Sequence, residues 1–201
     1  MQKNDPLANI IEQCRKGRPE AFNWLLENYG QRLYAYFLRT TGSTHDADDL
    51  LQELFVRLIE KIRAYEHQGR FEHWLFRIAA NLARDRIRRL QRGPGNLSLD
   101  TTDPEKGDLT EQLRSTEPPP DATIQLTELH DELQDALAQL PQIDREIIVM
   151  RHYSQMSFKD IAQQFHMPIG TALAKVHRGL KRLRSIMEPK TKTKPEQATE
   201  S

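Results

Sequence analysis

The feature that most limits how this chain can fold is its middle. Residues 93–127 open with Gly93-Pro94-Gly95, contain Asp103-Pro104 and Pro118-Pro119-Pro120, and hold seven acidic against two basic side chains. Such a composition buries too little apolar surface to offset the entropy of ordering, so it reads as a solvated acidic linker. It divides 201 residues into two pieces, each suited to one small domain. A tether of that length spans about 120 Å when fully extended and roughly 30–35 Å as a flexible coil. Hydrophobic residues make up only 37% of the chain, which argues for two small cores rather than a single large one. The expected domains are 1–92, a linker over 93–125, a second domain over 126–188 and a tail over 189–201.

The chain is formally neutral, yet its charge is segregated. Residues 1–92 carry 16 basic and 12 acidic side chains, while 128–188 carry eight of each. No apolar run approaches the roughly 20 residues of a membrane span, and the N-terminus lacks the apolar stretch of a signal peptide. A cytoplasmic protein without membrane insertion is expected. One cysteine permits neither an internal disulfide nor a cysteine-rich zinc site.

Both flanking pieces carry helical periodicity. Leu7, Ile10, Ile11 and Cys14 form a one-sided stripe, which makes Cys14 a small buried hydrophobe. Pro19 opens a second helix that Gly42 ends. Thr44 is the expected N-cap of a third, with Asp46, Asp48 and Asp49 at the positive end of its dipole. Its apolar face is Ala47, Leu50, Leu51, Leu54, Leu58 and Ile62. A polar loop containing Tyr65 and His67 leads to a fourth helix, with Phe71, Leu75, Ile78 and Leu82 inward. That helix ends with Arg77, Arg84, Arg86, Arg88, Arg89 and Arg92 against Asp85 alone. So dense a cationic run repels itself unless phosphates neutralise it, which points to nucleic acid. Rings beside it (Tyr65, His67 and Trp74) suit capture of unstacked bases.

In the second piece Leu126, Leu129, Leu133, Leu137 and Leu140 mark a helix stopped by Pro141, and Asp144 is the expected cap of the next. Ser157 and Asp160 form a capping box for a short helix. The turn His166-Met167 precedes Pro168 and a final helix with Ala172, Val176, Leu180 and Leu183 inward. Short helix, tight turn and longer helix is the helix-turn-helix plan, in which the second helix enters the major groove by its N-terminal residues. His at position 166 tolerates the left-handed turn conformation better than most side chains.

These segments resemble a family. Thr44-His45-Asp46-Ala47-Asp48-Asp49-Leu50-Leu51-Gln52-Glu53-Leu54-Phe55 is similar to the core-binding segment of bacterial RNA polymerase sigma factors. The stretch Phe71-Glu72-His73-Trp74-Leu75-Phe76-Arg77-Ile78-Ala79-Ala80-Asn81 is similar to their promoter-melting helix. Met156-Ser157-Phe158-Lys159-Asp160-Ile161-Ala162, with Pro168-Ile169-Gly170-Thr171 and His177-Arg178-Gly179, resembles their region-four helix-turn-helix. Size and layout match the extracytoplasmic-function (ECF) group, which keeps regions two and four. The resemblance implies an all-α fold of two helical domains, no cofactor, no metal and no catalytic residue. It also implies a set of partners: core RNA polymerase, through the clamp helices of its largest subunit and its flap; promoter DNA; and an anti-sigma factor as a further possibility.

By the same resemblance Asp48, Asp49, Leu51, Gln52, Glu53 and Phe55 are candidate polymerase-binding residues. Tyr65, His67, Arg70, Trp74, Arg77, Asn81, Arg84 and Arg88 are candidates for the opened minus-ten strand. Ser157, Lys159, Pro168, Ile169, Gly170, Thr171, Lys175 and Arg178 are candidates for the minus-thirty-five duplex. Leu173 and Ala174 stand where many family members carry a polar or basic pair, so a DNA-facing Leu173 touches a thymine methyl rather than donating a hydrogen bond. Opening about ten base-pair steps costs on the order of 14 kcal/mol, whereas two stacked bases return about 2–6 kcal/mol. Melting therefore requires the polymerase. Three alternatives stay open: a metal site at His45-Asp46 and Asp48-Asp49, for which no second ligand set is visible; a stand-alone helix-turn-helix regulator; and a polymerase adaptor that reads no DNA.

Overall fold

A computed structural model describes residues 6–92 and 120–188. The described residues are helical with no strand, in the order α1 (Pro6–Arg15), α2 (Pro19–Thr41), α3 (Thr44–Lys61), a single 3-10 turn (Ile62–Ala64), α4 (Phe71–Arg92), α5 (Pro120–Ala138), α6 (Gln142–Ser154), α7 (Phe158–Gln164) and α8 (Ile169–Met187). Most of the expected linker and the whole of the expected tail lie outside the described residues. α5 begins at Pro120, ahead of the expected start, because proline's fixed φ and missing N–H suit the first helical position.

α1–α4 form the first bundle. Pro19 opens α2, and Gly42 ends it in the left-handed conformation (φ 80°), returning its N–H to the Leu38 carbonyl at 2.8 Å. That turn leaves Ser43, not Thr44, at the N-cap of α3, where its hydroxyl accepts from the Asp46 N–H at 3.1 Å. The expected apolar stripes of α3 and α4 all face inward, with Ala47, Leu51, Leu54, Leu58, Phe71, Leu75 and Leu82 among the core residues. Each fully buried leucine or phenylalanine contributes about 1.5–3 kcal/mol. Edge-to-face rings reinforce the centre, Tyr36 with Phe76 at 5.6 Å and Tyr29 with Phe71 at 5.8 Å.

α5–α8 form the second bundle. Pro141 rather than Asp144 precedes α6 at the N-cap, and Asp144 instead accepts from Lys175 Nζ at 2.7 Å. The Ser157 cap stands as expected: its hydroxyl accepts from the Asp160 N–H at 3.2 Å and donates to the Asp160 carboxylate. His166 takes the left-handed conformation (φ 51°), and Met167 returns its N–H to the Ala162 carbonyl at 2.9 Å. α6 and α8 cross at Gly179, where an added Cβ would lie 2.5 Å from Ile148 Cδ1. Leu180 was expected inward, but it is exposed, on the lip of an apolar cleft between α5, α6 and α8.

The expectation of two separate cores is corrected. α6 packs against α2 and α4, so buried residues of both bundles form one continuous apolar cluster. Arg32 donates to the Tyr153 carbonyl at 2.7 Å, and Arg39 donates to the His130 carbonyl at 2.9 Å across this junction. Low overall hydrophobicity does not prevent fusion when each bundle presents a partly apolar flank to the other.

Candidate polymerase and nucleic-acid interfaces

The residues proposed for the polymerase fall on both sides of α3. Asp49 is exposed, while Asp48, Gln52 and Glu53 are half-buried, Glu53 accepting from Arg57 at 2.5 Å. Leu51 and Phe55 are buried and support the helix from within, because they lie on the same side as Leu54 and Leu58. The outer stripe continues instead through Val56 and Ile59, which are 47% and 52% exposed. Positions 49, 52, 56 and 59 recur at helical spacing opposite the core stripe, the signal that would have found them. Val56 and Ile59 leave an apolar strip in solvent on this face, the kind of surface patch that marks a contact site.

The second group lines α4 and the loop before it. Tyr65 lies in a loop whose sequence is polar. It is buried, with its ring 4.5 Å from that of Trp74 and 5.6 Å from that of Phe71, and Arg15 donates to its carbonyl. Burial pushes its phenol pKa up. His67 sits beside it, ring centroids 6.1 Å apart. Trp74 is half-buried, and Arg70, Arg77, Asn81 and Arg88 are exposed.

The arginine run is less uniform than its spacing suggests. Arg86 binds Asp46 at 2.5 Å and lies 3.7 Å from Asp49, tying the end of α4 to the start of α3. Arg84 lies 3.6 Å from Glu146 of α6 and stacks over the Phe165 ring at 4.8 Å. All three acids are remote in sequence from their arginines, which is why no local pairing rule shows them.

These side chains form one wall of a cleft of about 430 Å³, with Tyr65, Arg70, Trp74, Arg77, Asn81 and Arg84 on the α4 side. Asp160, Gln163, Gln164 and His166 of the helix-turn-helix form the other wall. Gln164 donates to the Asn81 side-chain carbonyl at 3.0 Å, and His73 lies 3.9 Å from Asp160. The Ser157 hydroxyl, more than any charge, holds the Asp160 carboxyl below its usual range.

On the helix-turn-helix, Ser157, Lys159, Pro168, Ile169, Gly170, Thr171 and Arg178 are exposed. Lys175 is not: it is held by Asp144 and half-buried, so its charge is already matched. The far end of α8 keeps Lys181 and Arg182 in solvent. Among the described residues no cluster of three or more histidine, cysteine or acidic side chains is placed to hold a metal, and no helix is long and apolar enough to cross a membrane.

Comparison with known proteins accounts for the layout. Family models match twice, Sigma-70 region 2 over residues 25–93 and Sigma-70 region 4 over residues 130–183. The chain is 30% identical over 174 residues to the ECF RNA polymerase sigma factor SigW of Bacillus subtilis, covering 87% of this chain and 92% of that protein. It is 28% identical to the ECF RNA polymerase sigma-E factor of Haemophilus influenzae, covering 90% and 94%. Two solved structures share the fold. CnrH in complex with the cytosolic domain of CnrY has a TM-score of 0.62 at 21% identity, covering 93% of this chain and 100% of that one. The sigma factor RpoE of Bartonella quintana, in complex with the anti-sigma factor NepR, has a TM-score of 0.57 at 23% identity, covering 84% and 98%. With both sigma-70 regions in order and near end-to-end similarity to SigW, this chain belongs to the ECF RNA polymerase sigma factors, which direct promoter recognition and transcription initiation.

Proposed function

We propose a division of that task among three surfaces. The outer stripe of α3, carrying Asp49, Gln52, Glu53, Val56 and Ile59, docks on core RNA polymerase through the clamp helices of its largest subunit. The α4 wall of the cleft, with Trp74, Arg77, Asn81 and Arg84 supported by Tyr65, His67 and Arg70, takes the opened minus-ten strand, and Arg88 adds a phosphate contact. The N-terminal turns of α8 enter the minus-thirty-five major groove, with Lys159, Arg178 and the basic far end on phosphates. The second bundle also meets the polymerase flap. Residues 1–92 then serve as region 2 and 126–188 as region 4, and the acidic stretch between them acts as a tether.

The observation that carries this reading is the convergence of rings, arginines and an amide on one wall. Rings stack on unpaired bases, an amide pairs with a base edge, and guanidinium groups hold the backbone. In this arrangement α7 faces that wall across the cleft and Glu146 of α6 holds Arg84, so strand capture follows separation of the bundles. The protein acts without catalytic chemistry of its own, in the cytoplasm with the transcription machinery. An anti-sigma partner is part of the proposal, supported by the NepR complex of the Bartonella relative.

Run-off transcription with reconstituted core enzyme tests it. Initiation at a defined site is expected only with the full chain present. Trp74→Ala and Asn81→Ala should keep core binding while reducing permanganate reactivity at minus ten. Tight duplex binding without polymerase, and no initiation with it, would leave a stand-alone regulator as the better reading.

A further inference from the structure

The first two turns of α8 are poor in hydrogen-bonding side chains. From Ile169 to Ala174 the chain reads Ile-Gly-Thr-Ala-Leu-Ala, so Thr171 alone carries a donor. Lys175, the next candidate, is clipped to Asp144 at 2.7 Å, and Ala172 is buried against the rest of the bundle. Ile169 and Leu173 stand one turn apart and are 49% and 45% exposed. About half of each side chain therefore stays in solvent on one side of the helix, open to an apolar contact. Further along the helix Arg178, Lys181 and Arg182 are exposed, with Leu180 exposed among them, and the three cations are complementary to a phosphate backbone.

We propose that Ile169 and Leu173 are specificity-determining residues that read thymine 5-methyl groups in the minus-thirty-five duplex. Thymine is the one base that presents an apolar group in the major groove, and apolar side chains are its matching partners. Guanine is read by bidentate Arg or Lys, and the first two turns of α8 offer only Lys175, already held by Asp144, so upstream selectivity rests on methyl contacts and on the Thr171 hydroxyl. The inference depends on α8 entering the major groove, as proposed above, and goes further by naming the chemical group that is read.

The test uses holoenzyme assembled from the full chain and core RNA polymerase. Promoters are selected from a pool of duplexes randomised upstream of the start, and the chosen minus-thirty-five element is then rebuilt with deoxyuridine in place of thymidine. Removing one contacted methyl is expected to weaken binding about 3- to 4-fold. In Leu173→Ala holoenzyme that loss should vanish at the position Leu173 reads, while Arg178→Gln should weaken all sequences alike and keep the methyl effect. Leucine and alanine are both good helix formers and position 173 is exposed, so the variant is expected to keep the wild-type circular dichroism and melting temperature. An element sensitive to scrambling but indifferent to deoxyuridine overturns the methyl reading and leaves groove entry standing. Indifference to scrambling overturns groove entry itself. If Leu173→Ala weakens association with core enzyme instead, the apolar pair belongs to a protein contact and the proposal fails.

Discussion

Neutralising Glu146 is expected to open the protein. Its carboxylate lies 3.6 Å from the Arg84 guanidinium, with 7% of the Glu146 side chain and 20% of the Arg84 side chain in solvent. At an effective dielectric of about 20 that separation corresponds to an attraction of about 4–5 kcal/mol, opposed by desolvation of both ions. Glu146→Gln keeps size and shape, and its amide oxygen still accepts from Gln142, which now donates to Glu146 at 2.9 Å. What remains is a mostly buried Arg84 without a counter-charge, and only while the bundles are packed together. Breaking one side of a buried pair costs about 3–5 kcal/mol. Since a fifth of Arg84 stays hydrated, roughly 2–3 kcal/mol is the better figure here, equivalent to a 30- to 160-fold shift toward the separated form. Small-angle scattering should report a larger radius of gyration, and fluorescence anisotropy should report tighter binding of a single-stranded minus-ten oligonucleotide. Glu132→Gln, which removes the same charge from an exposed position of α5, controls for general electrostatics. Equal radii and equal affinities for the two variants would refute the view that Glu146 holds the strand-reading wall closed.

Further outcomes are open to measurement. Reversing charge at Asp49 and Glu53 together should abolish co-purification with core polymerase, and Ile59→Asp should weaken it about tenfold without lowering the melting temperature. Burial pushes the Cys14 thiol up to about 11. At pH 8 about one molecule in a thousand is then thiolate, and a disulfide reagent should react with the native chain at least a hundredfold more slowly than with denatured chain. Burial first, and then the Arg39 guanidinium, hold the His130 imidazole below 6.5, against a smaller opposing pull from Asp131. A depressed histidine favours the neutral ring in the fold, so this part of the junction is firm above the ordinary histidine range and loosens as pH falls through the lowered value. Proton NMR should show His130 titrating below its value in the unfolded chain, and Arg39→Ala should return it toward that value.

What was legible in the sequence is what local rules govern. The inward stripes of α3 and α4, the Pro19 start, the Gly42 stop, the Ser157 capping box and the left-handed His166 all follow from spacing or from one residue's conformational preference. The surprises come from partners far along the chain. Arg84 and Arg86 looked unpaired because Glu146 and Asp46 lie 62 and 40 positions away. The burial of Tyr65 could not be read from its polar sequence neighbours, because Phe71 and Trp74 reach it only once the loop folds back. Lys175, expected on the DNA, is paired with Asp144 of α6, a partner 31 positions away. Val56 and Ile59 were hidden for a different reason: they are apolar residues at outward positions, and a rule that sends apolar residues to the core gives them no place there.

The bridge from Arg86 to Asp46, with Asp49 nearby, has a mechanical consequence. It fastens the first turn of α3 to the far portion of α4, which restrains the two helices from tilting independently. With α3 docked on the polymerase and α4 on the opened strand, as proposed, a tug on one helix would be delivered as a displacement of the other, in the manner of a rocker arm. Shortening Arg86 to alanine should therefore leave each grip intact yet uncouple their timing, with assembly preserved and promoter opening delayed.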